Sequence, residues 1–288
     1  MKELLKKLHR YEIKIRKMVT AQMQGDFHSV FKGSGLEFND VRPYQYGDDV
    51  RTIHWNVSAK GHGTFVKTFR EEKEQIVFFV LDVSASQDIG GENLKKLDLT
   101  KELCGVLTLS AIKEQSKVGV VCFSDQKESY IKPDKGLKYA YNIIYKIYNL
   151  VPKSRKTSLK NALKFVLGVI KKRSVIIVIS DFIDKDYQYY LKAVAKKHDL
   201  VVIHINDKRE RTLPSLGIIP IFDKEKNRTT WINTSFGDKV DSIKNFFQSN
   251  KSELESICKR YKTNYLSITT GTEYVGDLIK LFKVRNKK

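Results

Sequence analysis

Three oxygen-bearing side chains follow an apolar run at alternate positions. The segment LDVSAS, residues 81–86, comes directly after IVFFV and contains Asp82, Ser84 and Ser86. Because the side chains of an extended chain alternate between two sides, these three would project to the same side if the strand continues briefly. A carboxylate and two hydroxyls would then converge beyond the end of the strand, where they could hold a cation.

A second apolar run ends in the same way. SVIIVIS, residues 174–180, is followed directly by Asp181. Both runs are short and nearly continuous in apolar residues, which is typical of central parallel strands buried on both faces. In doubly wound sheets, ligands gather beyond the carboxyl ends of the strands. We therefore expect Asp82 and Asp181 to be neighbours in space.

A further hydroxyl lies between these two runs. In SRKTSLKNAL, Thr157 and Ser158 stand at the start of a strongly periodic helix, where residues of this type usually act as caps. Capping or a turn hydrogen bond is the simpler interpretation of each hydroxyl taken singly. The combination of two carboxylates and three hydroxyls at three strand-to-helix junctions is what favours a site.

This hard, all-oxygen set suits Mg²⁺ first, with Mn²⁺ and Ca²⁺ as alternatives. If the hydroxyls bind the ion directly and the aspartates act mainly through water, the ion keeps much of its charge and an open coordination position. A carboxylate from a protein partner could fill that position. The predicted metal-site residues are Asp82, Ser84, Ser86, Thr157 and Asp181, with Ser158 as a rival to Thr157.

The pattern of strands and helices that must position these groups predicts an α/β fold with a doubly wound, mostly parallel sheet. Residues 2–24 have helical apolar spacing with Lys and Arg between, and we expect this basic helix to pack on its own domain rather than on a membrane surface. Residues 33–72 predict loops and short strands. From residue 75 onward, strands and helices alternate. We therefore divide the chain into an N-terminal segment, 1–74, and an α/β domain, 75–288.

Composition limits the kinds of binding partner and the cellular compartment that we expect for this protein. The formal net charge is +20, but the excess is spread along the chain, which favours a Lys-rich solvated surface over a nucleic-acid site. Three distant cysteines without metal-site spacing predict buried thiols in a reducing compartment. Since no apolar run approaches the length of a spanning helix, we expect a cytoplasmic protein.

The segment GDDVRTIHW and its surroundings contain paired charges and large aromatics. Asp48, Asp49, Arg42 and Arg51 surround a Gly turn, which favours an internal ion-pair network over an interaction surface. Trp55 and Phe38 predict packing anchors, because large aromatics usually serve cores.

The order of motifs resembles the metal-ion-dependent adhesion site of von Willebrand factor A-like domains. Asp82, Ser84 and Ser86 match its Asp-x-Ser-x-Ser element, Asp181 matches its later Asp, and Thr157 matches its Thr by position. Lys156 precedes Thr157 where that family usually has a small residue, so Ser158 stays an alternative ligand. Together with GSGLEFNDVRPYQYGDDVRTIHW, SAK, VKTFREE and SDF, the pattern resembles the bacterial family called domain of unknown function 58.

This resemblance implies a binding module rather than an enzyme. Members of the family are commonly encoded beside AAA+ ATPases of the MoxR type. The resemblance therefore implies a cytoplasmic partner or adaptor for such an ATPase or its client, acting in complex assembly or in cofactor and protein maturation.

Two other classes of function compete with that expectation. A metal-dependent phosphoryl-transfer enzyme could use an Asp at the end of a first strand, but Ser84 stands where a second acid would serve as proton donor. GxSxG, P-loop and HExxH signatures are missing from the sequence. A nucleic-acid-binding protein is motivated only by the net charge and would bind in a steeply salt-dependent manner.

Overall fold

The computed structural model describes residues 36–61, 63–71, 75–91, 94–211, 216–225, 227–235 and 237–285. The predicted basic helix over 2–24 lies outside these residues. The strands, in chain order, are β1 (Leu36–Pro43), β2 (Phe65–Glu71), β3 (Ile76–Asp82), β4 (Gly90–Gly91), β5 (Leu94–Lys95), β6 (Lys117–Phe123), β7 (Lys127–Asp134), β8 (Val175–Ser180), β9 (Asp199–Asn206), β10 (Ile218–Asp223), β11 (Arg228–Asn233) and β12 (Asn264–Thr269).

The α-helices are numbered separately from the strands. They are α1 (Trp55–Ser58), α2 (Lys96–Lys113), α3 (Leu137–Tyr148), α4 (Leu159–Val169), α5 (Gln188–Lys197), α6 (Lys208–Arg211), α7 (Gly237–Arg260) and α8 (Val275–Arg285). Short 3-10 helices cover Val50–Thr52 and Ala85–Asp88. None of the described helices is long and apolar enough to cross a membrane.

The centre of the fold is a six-stranded sheet with the order β12-β9-β8-β3-β6-β7. All neighbouring pairs are parallel except β6 and β7, which are antiparallel. The predicted doubly wound, mostly parallel α/β fold is therefore confirmed. Strand order reverses at β3, which has β6 on one side and β8 on the other. The carboxyl ends of β3 and β8 are aligned, since Leu81 pairs with Ile179.

Helices cover both faces of this sheet and form two hydrophobic clusters. One face packs against α2, α3 and α8, with Leu103 and Ile143 buried in it. The other face packs against α4, α5 and α7, with Leu163 and Val194 buried. The central strands therefore contact apolar side chains on both sides, which explains why their sequences are continuous apolar runs rather than alternating ones.

The approach of β3 and β6 requires a glycine. A Cβ atom built on Gly119 would lie 2.5 Å from the ring of Phe78, well inside van der Waals contact. Gly119 thus makes room for an aromatic ring that packs across the neighbouring strand, and keeps the two strands in register.

Two antiparallel pairs lie outside the central sheet. β1 and β2 pair with each other, in agreement with the short strands predicted for residues 33–72. β10 and β11 also pair with each other. The local sequence does not predict this second pair, because its apolar residues are interrupted by Pro220 and by polar residues in β11. The division of the chain into an N-terminal segment, 1–74, and an α/β domain, 75–288, stays a prediction.

The expected packing role of Trp55 is wrong. Its side chain is 68% exposed. α1 is a single turn without a buried residue, so it presents no apolar stripe that a neighbouring layer could cover. The side chain of Phe38 lies outside the described part of the chain. The charged residues nearby form two local pairs: Arg42 with Asp48 and Arg51 with Asp49.

The three cysteines are buried free thiols, as predicted. Burial is the main reason why the pKa of Cys122 is raised to about 12 and that of Cys258 to about 11. They act as small core residues rather than as reactive groups.

Candidate metal centre at the carboxyl edge of the sheet

The two central strands deliver two carboxylates to one edge. Asp82 is the last residue of β3, and Asp181 follows the last residue of β8. Ser84 and Ser86 lie at the start of the 3-10 turn that follows β3. Asp82, Ser84 and Asp181 are at most 2% exposed. The expectation that the two aspartates are neighbours is therefore met by the pairing of their strands.

A chain of polar contacts joins four of the predicted residues. The backbone N–H of Ser84 and its hydroxyl both donate to Asp82 Oδ1, at 3.0 and 2.6 Å. Ser84 Oγ lies 3.0 Å from Ser86 Oγ. The Ser86 side chain in turn lies near Asp181 and helps to lower the pKa of that carboxyl. Asp82, Ser84, Ser86 and Asp181 thus form one continuous polar cluster.

The fifth predicted residue lies on a neighbouring loop and has a different partner. The Thr157 hydroxyl donates to Glu225 Oε1 at 2.6 Å. The loop runs beside the serine turn, because Ala85 N–H donates to the carbonyl of Arg155 at 3.0 Å. Ser158 is the N-cap of α4 and accepts from Asn161 N–H at 3.3 Å. Between the two alternatives, the geometry favours Thr157 as the hydroxyl that could serve a metal.

A buried lysine adjoins the cluster and was missed by the sequence analysis. Lys96 Nζ lies 2.7 Å from Asp181 Oδ2 and 2.5 Å from Glu210 Oε1, and its side chain is fully buried. One signal existed in the sequence: Lys95 and Lys96 stand at the start of a helix, where the helix dipole disfavours positive charge. A lysine in that position needs a compensating partner. Glu210, far away in the sequence, gave no such signal.

The ionisation of the cluster follows from burial and from neighbouring charges. Burial and the charge of Asp181 raise the pKa of Asp82 to about 7, against hydrogen bonds from Ser84 and Ser180 that lower it. Burial alone would raise the pKa of Asp181, but the Lys96 ammonium holds it below its usual range. Burial likewise opposes the charge of Lys96, yet Asp181 and Glu210 outweigh it and raise its pKa. Burial raises the pKa of Glu210.

The second oxygen of Asp82 is held by residues that the sequence analysis did not select. Ser180 Oγ donates to Asp82 Oδ2 at 2.7 Å, and Gln87 Nε2 lies 3.4 Å from the same oxygen. Gln87 is fully buried, and its Oε1 has no hydrogen-bond partner among the described residues. A buried acceptor without a donor is costly, so a cation or a bound water would stabilise this oxygen.

The residues present are suited to a divalent cation. Lys96 pairs with two buried carboxylates, Asp181 and Glu210, and a third buried carboxylate, Asp82, lies beside Asp181; these four groups carry two net negative charges when all are ionised. Within the described ranges, no group of three or more His, Cys, Asp or Glu side chains is arranged to hold a metal ion. Ligation at this edge would therefore need the hydroxyl oxygens as well as the carboxylates, which fits a hard cation.

A cavity of about 320 Å³ opens beside the serine turn. Its lining includes Ser84 from the turn, Leu97 from α2 and Arg155 from the Thr157 loop, and Phe222 and Lys224 line it from the β10–β11 pair. The polar cluster is thus adjacent to a space that could receive part of another molecule.

The strand order, with helices on both faces of a mostly parallel sheet, defines a doubly wound α/β domain and agrees with the von Willebrand A-like fold that the sequence motifs predicted. The chain belongs to the family described as protein of unknown function DUF58, whose model matches residues 40–253. An uncharacterized protein of Mycobacterium tuberculosis, Rv1480, is 22% identical over 285 residues, which cover 97% of this chain and 89% of that protein.

Solved structures of similar architecture include a conserved hypothetical protein, BatB, from Bacteroides thetaiotaomicron. It is 17% identical, with a TM-score of 0.48, over 74% of this chain and 100% of that chain. The von Willebrand A domain of SpRpn10 is 12% identical, with a TM-score of 0.39, over 71% of this chain and 93% of that chain.

Proposed function

We propose that this protein binds a carboxylate of a protein partner through a divalent cation held at the carboxyl edge of the sheet. The cation would be Mg²⁺, with Mn²⁺ and Ca²⁺ as alternatives. In this proposal the protein is a binding module and not an enzyme, and it acts in the cytoplasm as a partner or adaptor of a MoxR-type AAA+ ATPase or of its client.

The five predicted residues would have two kinds of role. Ser84, Ser86 and Thr157 would present neutral hydroxyl oxygens to the cation. Asp82 and Asp181 would orient those hydroxyls or bound waters, as Asp82 already does by accepting from Ser84. Neutral direct ligands leave the cation with much of its charge, which favours the capture of an external carboxylate.

The observation that carries the proposal is a buried cluster of hydroxyls and carboxylates in which Asp82 and Asp181 lie close together. Lys96 pairs with Asp181, whereas burial and the charge of Asp181 raise the pKa of Asp82 to about 7. A divalent cation would remove this cost. Ser84, which stands where an enzyme of the Asp-x-Asp type would need an acid, donates to Asp82 instead.

The ATPase as partner comes from the family resemblance, and the chemistry of the partner surface comes from charge. A protein with a formal net charge of +20 attracts acidic surfaces, which supply Asp and Glu side chains. Electrostatic attraction would bring such a surface to the cation, and the open coordination position would select a carboxylate from it.

The first test is calorimetric titration with Mg²⁺ and with Mn²⁺. We expect the wild-type protein to bind one or both ions and the double variant Ser84→Ala/Ser86→Ala to lose that binding. Ser256→Ala is a matched control, because Ser256 lies exposed on α7, far along the chain from the site. If the wild-type protein binds neither ion, and a matching titration with Ca²⁺ also shows no binding, the metal part of the proposal is wrong.

The second test is binding of a purified MoxR-type ATPase with and without a chelator. We expect binding that the chelator abolishes and that the double variant lacks. Binding that survives the chelator would contradict the proposal. A complex with nucleic acid that weakens steeply with salt and ignores the chelator would instead favour the basic surface as the functional feature.

A further inference from the structure

A two-stranded ribbon, β10–β11 with its turn (residues 218–233), reaches the candidate site from a distant part of the sequence. In the described part of the chain, β10 and β11 pair only with each other and not with the central sheet. Ile218 and Trp231 are each 65% exposed. A lone two-stranded ribbon is marginally stable in water, so its position depends on the side chains that attach it to the body of the protein.

Two consecutive residues at the turn of the ribbon attach it to two different loops of the site. Lys224 Nζ donates to the carbonyl of Asp88 at 2.9 Å and also bonds the Asp88 carboxylate. Asp88 ends the 3-10 turn that begins beside Ser84. Glu225 accepts the Thr157 hydroxyl at 2.6 Å. The ribbon is therefore bonded to the 3-10 turn after β3 through Lys224 and to the loop that contains Thr157 through Glu225.

The position of the ribbon also closes one side of the cavity next to the site. Phe222 and Lys224 line this cavity together with Leu97 and Arg155, and the cavity reaches Ser84. If the turn of the ribbon left Thr157, the wall made by Phe222 and Lys224 would leave with it. Access to the cavity and release of the Thr157 hydroxyl are therefore coupled events.

We propose that Glu225 is an internal competitor for the partner's carboxylate, so that the ribbon is a built-in latch on the site. The inference rests on the proposed function, because it assigns to Glu225 the same chemistry that the partner would use. Glu225 holds the Thr157 hydroxyl with a carboxylate from the same chain, so a partner's carboxylate must displace Glu225 before Thr157 is released to the cation. The partner segment that fits is one that offers an Asp or Glu side chain on a protruding turn, as the ribbon itself does.

A metal-free experiment tests the latch separately from the proposed function. In chelator, we expect hydrogen exchange of the ribbon amides, 218–233, to become about tenfold faster or more in Glu225→Gln, since a hydrogen bond to a charged acceptor is lost. Thr157→Val should also accelerate this exchange, and the double variant should exchange no faster than Glu225→Gln, because the Thr157–Glu225 hydrogen bond is already lost in that single variant. Glu255→Gln, an exposed glutamate on α7, is the matched control and should leave the ribbon unchanged.

A second experiment uses Mn²⁺ as the metal and acetate as the carboxylate probe. Water-proton relaxation reports the waters that acetate displaces from bound Mn²⁺. We expect Glu225→Gln to bind acetate at a concentration about tenfold lower than the wild-type protein requires, because the internal competitor is gone. Glu255→Gln should behave as the wild-type protein does.

The possible outcomes of these two experiments distinguish the proposed latch from the proposed function of the site. If Mn²⁺ binds but ribbon exchange and acetate affinity are the same in Glu225→Gln and in the wild type, the latch is wrong and the proposed function stands. If no variant and no wild-type sample binds Mn²⁺, the latch falls together with the proposed function. Faster exchange in both single variants, with tighter acetate binding in Glu225→Gln, supports the latch.

Discussion

Two regions of the molecule pair aspartates with cationic side chains in very different surroundings. At the carboxyl edge of the sheet, Lys96 lies 2.7 Å from Asp181 with both side chains almost wholly buried. Beside β1, Arg42 makes two bonds to Asp48, at 2.6 and 2.8 Å, with side chains 42% and 19% exposed. The distances are alike, but only the first pair is removed from water.

Solvent decides what each arrangement can do. The Arg42 guanidinium is the main reason that the pKa of Asp48 lies below its usual range, and Asp48 also accepts Gln45 N–H to close the turn after β1. At the buried edge, by contrast, the pKa of Asp82 rises to about 7, because burial and Asp181 both oppose its charge. The exposed pair therefore closes a turn, whereas the buried cluster keeps a charge imbalance that a ligand could relieve.

The largest expected effect comes from Lys96→Met. Removing the ammonium leaves Asp181 and Glu210 buried without their shared partner, which should lower the free energy of unfolding by about 3–5 kcal/mol in urea denaturation. Lys95→Met is the matched control, because Lys95 pairs with Asp88 at a partly exposed position and should cost about 1 kcal/mol or less. Equal losses from the two variants would mean that burial does not distinguish the two kinds of ion pair.

A smaller change in the free energy of unfolding is expected when the pH of the metal-free protein is varied. The pKa of Asp82 is about 7 when folded, against 3.8 for an unperturbed side chain. As pH rises, the unfolded chain therefore loses the Asp82 proton at a lower pH than the folded chain does. Protonated Asp82 thus contributes to folding stability below pH 4, and this contribution is lost as pH rises towards 7. In chelator, Asp82→Asn should remove this fall, which amounts to roughly 2–4 kcal/mol across the window.

The measurement for Asp82 is urea denaturation at half-unit steps from pH 4 to pH 8. The relevant quantity is the difference in slope between the wild-type protein and Asp82→Asn, since distant titrating groups contribute equally to both and the pKa of Asp181, its charged neighbour, lies below this pH range. Parallel curves would show that Asp82 ionises freely at this edge, and the contrast with Asp48 would then disappear.

The smallest effect is expected from Arg42→Met. Asp48 keeps its bond from Gln45 N–H and remains open to water, so we expect the melting temperature to stay within experimental error. Calorimetric binding of Mg²⁺ should also be unchanged, because the pair lies on β1 and its turn, outside the central sheet. A large loss of stability would mean that the β1–β2 pair depends on this single ion pair.

Local patterns in the sequence predicted most of the fold. The apolar runs ending at Asp82 and Asp181 indicated central strands, and their common edge followed from the parallel arrangement of such strands. Thr157 and Ser158 could not be separated by the same means, because both are hydroxyl residues at a helix start. The structure separates them, since Ser158 caps α4 and Thr157 turns to Glu225.

Trp55 and Glu225 show two ways in which local sequence patterns fail to predict the surroundings of a side chain. A large aromatic suggested a core position, but whether Trp55 is covered depends on which layers lie above α1, and it is largely exposed. The sequence around Glu225 gives no signal of a partner, yet Glu225 accepts a hydrogen bond from Thr157, 68 residues away in the chain. Neither outcome is encoded in the residues that flank these positions.

The sequence by itself determined the alternation of strands and helices that builds the central sheet, the doubly wound class of fold and the four side chains that converge after β3 and β8. These features depend on period and burial, which neighbouring residues express. Only the tertiary structure decided that Lys96 neutralises Asp181 from inside the protein and that the β10–β11 ribbon brings Glu225 to Thr157. Charges act through space rather than along the chain, so contacts of this kind exist only once the chain has folded.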